Sequence, residues 1–222
     1  MKVILTGSTG MVGKGVLLEC MDDETVEEIL LINRSPIDIS HPKIKEILHQ
    51  DFTNFSSIEA EFKDYDACFH CMGVSSAGIS EETYYKLTFT ISEALADAIY
   101  NVNHNVLFTY VSGAGTDSSE QGSSMWARIK GKTENFILNK GFKDAYAFRP
   151  GAILPERGVK SKTNLYNFFY VITKPIFPLL KRMKSVTTTS RIGRAMINLD
   201  NNPQTLKHLE GADINKISKI KG

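Results

Sequence analysis

The first thirteen residues restrict the fold more than any other part of the chain. A strand-like run, Lys2-Val3-Ile4-Leu5-Thr6, passes directly into Gly7-Ser8-Thr9-Gly10-Met11-Val12-Gly13, and Met11, Val12, Val16, Leu17 and Cys20 then recur at helical spacing. A strand that becomes a helix through three glycines makes a corner too tight for side chains. The backbone N–H groups at the helix start, where the helix dipole is positive, are thereby exposed to any anion that approaches. The G-x-x-G-x-x-G spacing is one residue longer than the G-x-G-x-x-G form. With a strand before it, an amphipathic helix in it and a second strand, Glu28 to Asn33, after it, the corner is expected to hold the pyrophosphate of a dinucleotide. The expected binding residues are Gly7, Thr9, Gly10, Met11, Val12 and Gly13.

The same alternation runs on. Further strands are predicted at 44–49, 66–71, 105–111 and 145–148. Helices are predicted at 55–62, 81–100, 124–139 and about 189–199. Strands and helices taking turns call for a parallel sheet, because parallel strands need helical crossovers. The expected fold class is α/β, a doubly wound parallel sheet in a single domain over residues 1–222. After Gly151 the rhythm changes to a loop and an aromatic stretch, Leu165 to Ile172, interrupted at Pro175 and Pro178. Residues 152–187 are therefore expected to form a small cap on the substrate side. Packing between cap and domain is the favoured role for these aromatics, with peripheral membrane contact through Lys174, Lys181, Arg182 and Lys184 as the alternative.

Composition closes off several function classes. A net charge of +1 over 222 residues offers no polyanion-binding surface, so nucleic acid is not an expected partner. No apolar run reaches the length of a membrane span or a secretory signal, which points to a cytoplasmic location. Three cysteines, Cys20, Cys68 and Cys71, cannot all pair within one chain and read as core thiols. Cys68 and Cys71 look like a C-x-x-C, but on a strand residues three apart face opposite sides. His41, His49, His70, His104 and His208 lack ligand spacing, so no metal is expected. A helix-face homodimer is left open.

The end of the second predicted strand bears on the cofactor. A site selective for NAD places a carboxylate there to hold the ribose hydroxyls, but this chain has Asn33-Arg34-Ser35. A guanidinium at Arg34 would pair with the 2′-phosphate of NADP, and no acid is present to repel that phosphate. NADP is expected over NAD. The alternative for Arg34 is a solvated surface side chain.

The landmarks Thr6-Gly7-x-x-Gly10-x-x-Gly13, Gln50-Asp51-Phe52, Phe69-His70-Cys71-Met72-Gly73, Tyr110-Val111-Ser112-Gly113 and Phe148-Arg149-Pro150-Gly151 follow one another in order over residues 1 to 155. Together they resemble the atypical branch of the short-chain dehydrogenase/reductase superfamily, whose domain is a Rossmann fold. With Lys130-Gly131-Lys132-Thr133-Glu134 added, the chain looks most like the Tat-interacting-protein oxidoreductase-like group and its bacterial relatives described as sugar-nucleotide epimerases. The resemblance implies that Asp51 and Phe52 border the adenine and that Cys71, Met72 and Gly73 line the adenosine ribose side. It places Pro150, Gly151 and Ile153 near the nicotinamide. A loop carboxylate capping the following turn is the alternative for Asp51.

The superfamily's chemistry uses a serine to hold the substrate oxygen, a tyrosine as general acid and base, and a lysine four residues later that lowers the tyrosine pKa and holds the ribose. Ser112 and Lys130 fit the first and third roles. The tyrosine position reads Trp126, and an indole N–H donates a hydrogen bond without shuttling a proton. Two functions are therefore expected in competition. One is an NADP-dependent oxidoreductase or epimerase acting on a small molecule, with Ser112, Tyr166, Tyr170 or a water replacing the tyrosine. The other is a non-catalytic NADP-binding regulatory or interaction protein.

Overall fold

The computed structural model describes residues 1–159, 180 and 183–220. Seven parallel strands form the central sheet: β1 (Lys2–Thr6), β2 (Glu28–Asn33), β3 (Ile44–Leu48), β4 (Ala67–His70), β5 (Leu107–Val111), β6 (Asp144–Arg149) and β9 (His208–Glu210). Their order is β3-β2-β1-β4-β5-β6-β9, so the chain winds outward from β1 in both directions. A separate two-stranded sheet pairs β7 (Ala152–Leu154) with β8 (Val186–Thr188). The helices are α1 (Met11–Asp22), α2 (Glu81–Tyr85), α3 (Ile91–Val102), α4 (Met125–Leu138), α5 (Thr189–Asn201) and α6 (Gly211–Ile217).

Both faces of the sheet are buried, which explains why the strands read as continuous apolar runs. Strand alternation divides them. Val3, Leu5, Leu31 and Phe69 face a core built with α1 and α5, where Val16, Leu17, Ile192 and Met196 lie fully buried. Ile4, Leu30, Cys68 and Phe108 face the other core, filled by Leu95, Ala96 and Ile99 of α3. Cys68 belongs to this second core and Cys71 packs against the first, so the pair straddles the sheet as the alternation requires. All three cysteines are free thiols.

Three local departures from the sequence reading have physical causes. Only Glu59–Phe62 of the expected 55–62 helix is helical, as a 3-10 turn. The Asn54 side chain accepts from the Ser56 amide, and that local bond competes with helical pairing. The expected 81–100 helix contains a π-helical turn at Lys86–Thr90 between α2 and α3. A one-residue slip of this kind leaves apolar spacing almost intact. The strand β9 and helix α6 lie beyond the expected elements. β9 is three residues long and pairs Leu209 with Phe148 at the sheet edge. The cap's aromatic stretch, with Tyr166, Tyr170, Lys174, Lys181 and Arg182, lies outside the described residues; Lys184 is described and exposed.

Candidate cofactor and active site

Gly7 turns the chain off β1 with a left-handed φ of 77°, and its N–H to C=O loop is closed by Gly10 donating to the Gly7 carbonyl at 2.9 Å. A Cβ at Gly7 would stand 2.7 Å from the Cys71 carbonyl, and one at Gly13 would stand 2.2 Å from the Gly7 oxygen. The first position needs φ > 0 and a close approach to the loop after β4; the second lets α1 sit directly on the turn. Gly10 caps α1 without any side-chain hydrogen bond, and the first turn contains no acid. The helix start therefore keeps its positive end open.

Beside this corner, at the carboxyl ends of β1, β2 and β4, lies a cleft of about 310 Å³. Gly7, Thr9 and Gly10 form its floor, Arg34 and Asp51 stand at one side, and Cys71, Met72 and Gly73 at the other. Phe52, Lys86, Leu87 and Ile91 also line it, which puts the π-helical turn on its wall. Asn33 is buried at the end of β2, where it accepts from Ser8 Oγ at 2.8 Å and donates to Glu46 at 2.7 Å. Arg34, one residue on, is exposed, and its carbonyl accepts from Gln50. Asp51 Oδ1 accepts from both the amide and the hydroxyl of Thr53, and these bonds hold its carboxyl below the usual carboxylate range. Asp51 thus caps its own turn while lining the cleft.

Of the other expected residues, Met11, Val12 and Gly13 form the first turn of α1 directly after the cleft-lining Gly10, and the rest come from later elements. Met11, Val12, Gly13, Ser112, Lys130, Pro150, Gly151 and Ile153 are not among the residues lining that cleft. Pro150 and Ile153 sit beyond the ends of β5 and β6: the Pro150 carbonyl accepts from Ala114, and Ile153 pairs with Thr187 between β7 and β8. Ser112 is buried. Its hydroxyl donates to Glu134 and contacts the Phe148 carbonyl at 3.1 Å, so it is engaged inside the fold rather than offered to a substrate. Lys130 Nζ donates to the Ser112 carbonyl, and desolvation pushes its pKa down to about 8. Trp126 stands one helical turn before Lys130 with its ring against Gly115, 3.6 Å from where a Cβ would be.

Sequence reading missed the pair that joins two of its own landmarks. Glu134, fully buried on α4, receives Arg149 Nε at 3.0 and 3.2 Å and also pairs with the second guanidinium nitrogen, Nη2. Arg149 Nη2 also reaches Ser118 Oγ at 2.5 Å, and His208 Nε2 stands 3.5 Å from Glu134. The available signal was a glutamate on an apolar helix face and an arginine ending an apolar strand, two buried charges that need each other. His70 is a second residue without an assigned role. Ser92 gives its proton to the Thr88 carbonyl, so His70 Nε2–H donates to Ser92 and Nδ1 accepts from Thr6. Burial holds its imidazole neutral, with a pKa lowered to about 3.

The parallel sheet with strand order 3-2-1-4-5-6 and a glycine corner at the crossover point defines a Rossmann NAD(P)-binding domain. The sequence model of the NAD dependent epimerase/dehydratase family matches residues 3–125, and the chain belongs to that family, whose members are NAD(P)-binding and oxidoreductase-like. Protein FMP52, mitochondrial, of Meyerozyma guilliermondii is 24% identical over 226 residues, covering 99% of this chain and 96% of that protein. Protein HTATIP2 of Rattus norvegicus is 22% identical over 159 residues, covering 70% of this chain and 64% of that protein. Among solved structures, Bordetella bronchiseptica WbmH in complex with NAD+ shares the fold with a TM-score of 0.65 at 15% identity, covering 90% of this chain and 72% of that one. Candida albicans Gre2 in complex with NADPH does so with a TM-score of 0.66 at 12% identity, covering 93% and 74%.

The expected cytoplasmic location is overturned by these relatives. Several fungal proteins similar to this chain are named mitochondrial. The expectation rested on the lack of a long apolar run, which says nothing about compartments reached by other routes. Among the described residues, no helix is long and apolar enough to cross a membrane, and no group of three or more His, Cys, Asp or Glu is placed to hold a metal ion.

Proposed function

We propose that the chain is an NADP-binding reductase or epimerase-like protein that works without the usual active-site tyrosine. The observation behind this reading is the cleft itself: an uncapped helix start over three glycines, with Arg34 and no β2 carboxylate at its rim. The fit is steric as well as electrostatic. A Cβ at Gly73 would meet nothing within 4 Å, and one at Gly10 would meet only the Gly7 carbonyl, so the cleft is open where a diphosphate and ribose would enter. In this reading Gly7, Thr9, Gly10, Met11, Val12 and Gly13 hold the diphosphate and Arg34 pairs with the 2′-phosphate. Asp51 and Phe52 border the adenine, and Cys71, Met72 and Gly73 border its ribose. Lys130, Pro150, Gly151 and Ile153 face the other end. The bound cofactor would supply or accept a hydride.

Calorimetric titration of Arg34→Asp tests the assignment. A charge-assisted guanidinium–phosphate pair replaced by a like charge is expected to weaken NADPH by about 100-fold, the top of the range for such bonds, while NADH changes little. Equal losses for both nucleotides would refute the phosphate assignment. A second reading, a non-catalytic NADP sensor, draws support from two features: Ser112 is engaged by Glu134, and Trp126 stands where a proton donor is expected. A protein of that kind binds NADPH and oxidises none of it in the presence of carbonyl compounds.

A further inference from the structure

The hydroxyls of Ser112 and Thr116, on either side of Gly113 in the loop beside Lys130, are both engaged. Ser112 Oγ donates to Glu134, and Thr116 Oγ1 donates to the Gly113 carbonyl at 2.7 Å. Trp126 offers an indole where a phenol would stand. The residue whose side chain would project toward Lys130 is Gly113: a Cβ there would lie 3.8 Å from Lys130 Nζ. Gly113 has no side chain, so the ammonium is open on that side, while the Ser112 carbonyl anchors it on the other.

We propose that Lys130 is itself the catalytic acid, its ammonium protonating a carbonyl oxygen of the substrate at the space left open by Gly113. This rests on the cofactor reading above. The carbonyl π bond breaks as its carbon gains a hydride from a dihydronicotinamide and its oxygen gains the Lys130 proton. The carbonyl is reduced to an alcohol, the dihydropyridine is oxidised, and the neutral amine recovers a proton from water.

The electrostatics fit the role. Burial lowers the Lys130 pKa to about 8, close to the working range of a general acid, while Glu134 one turn along α4 opposes the shift. Glu134 is held back from a stronger effect because its charge is paired with Arg149 from β6, with His208 of β9 beside it. Arg149 is accordingly a positioning residue for the acid. An ordinary lysine, with a pKa of about 10.4, would surrender its proton too slowly near neutrality.

The test uses the full chain, with NADPH and 4-nitrobenzaldehyde as the probes. Calorimetry first establishes whether NADPH binds. Reductive methylation with carbon-13 and NMR titration then follows the Lys130 resonance, assigned by its loss in Lys130→Arg, which is expected to titrate near 8. NADPH oxidation is expected to fall as pH rises above that value. At saturating NADPH, Lys130→Arg is expected to lose turnover by about 100-fold or more, the usual contribution of a general acid. Lys130→Ala is expected to recover part of that turnover when methylamine is added. Failure to bind NADPH overturns the cofactor reading and this proposal with it. NADPH binding accompanied by ordinary lysine titration, by full turnover in Lys130→Arg, or by no oxidation at all overturns the proposal alone.

Discussion

Arg149→Met should be the most destabilising single change among the described polar residues, and the geometry gives its size. Glu134 is fully buried and Arg149 is 14% exposed, with three guanidinium contacts between them. The methionine keeps an unbranched stem but leaves Glu134 charged, with the Ser112 hydroxyl donating to it, a histidine at 3.5 Å and the Lys130 ammonium acting through space. Breaking a buried pair this way costs about 3–5 kcal/mol, because the abandoned charge keeps its desolvation penalty. For a chain of 222 residues, each kcal/mol moves the melting temperature by about 2–4 °C, so a fall of roughly 6–20 °C is expected. Scanning calorimetry of wild type, Arg149→Met, Glu134→Gln and the double variant separates the pair from its parts. The double variant should recover much of the loss, since no orphan charge remains. A fall below 2 °C in Arg149→Met, or a double variant no better than the single one, would refute the reasoning.

Two further outcomes can be checked in the same instruments. Gly13→Ala places a Cβ 2.2 Å from the Gly7 oxygen, so α1 must shift; overpacking of this kind costs about 1–3 kcal/mol and should lower the melting temperature and weaken NADPH together. Gly73→Ala, with nothing within 4 Å, is the control for stability alone and should leave the melting temperature of the nucleotide-free protein unchanged. His70 is neutral down to about pH 3 when folded but protonates near 6.5 when unfolded, so the unfolded state binds more protons in that window. Stability should therefore fall as pH drops from about 6.5 towards 3, by at most about 1.4 kcal/mol per pH unit from this group. Urea unfolding of His70→Phe across that range should show a shallower slope, and an unchanged slope would contradict the assignment.

The Rossmann core was readable because each of its central strands buries both faces and each of its main helices presents one apolar stripe. Local spacing alone then specifies β1, β2, β4 and β5 with few errors at their ends. The glycine corner was readable for the same reason: all its contacts except those of Gly7 against Cys71 and Met72 lie within seven residues. What local spacing cannot show is partnership. β9 has no β-branched run and becomes a strand only because Leu209 completes the edge beside Phe148. The direction of Ser112 was equally hidden, since its hydroxyl is oriented by a glutamate 22 residues away on a helix whose rotation the sequence leaves unstated.

Lys130 and Arg149 both interact with Glu134, and this ties the stability of the fold to the acidity of the site. Glu134 raises the Lys130 pKa, and Arg149 neutralises Glu134; the value of about 8 is the balance left after burial. Removing the carboxylate in Glu134→Gln takes away the opposing influence, so the Lys130 pKa should fall further and its titration move to lower pH. Removing the guanidinium in Arg149→Met frees the Glu134 charge to act on the ammonium, so the titration should move to higher pH. Both variants are destabilised, yet they should shift Lys130 in opposite directions. A mere loosening of the fold would admit water in both cases and move both values up towards an ordinary lysine.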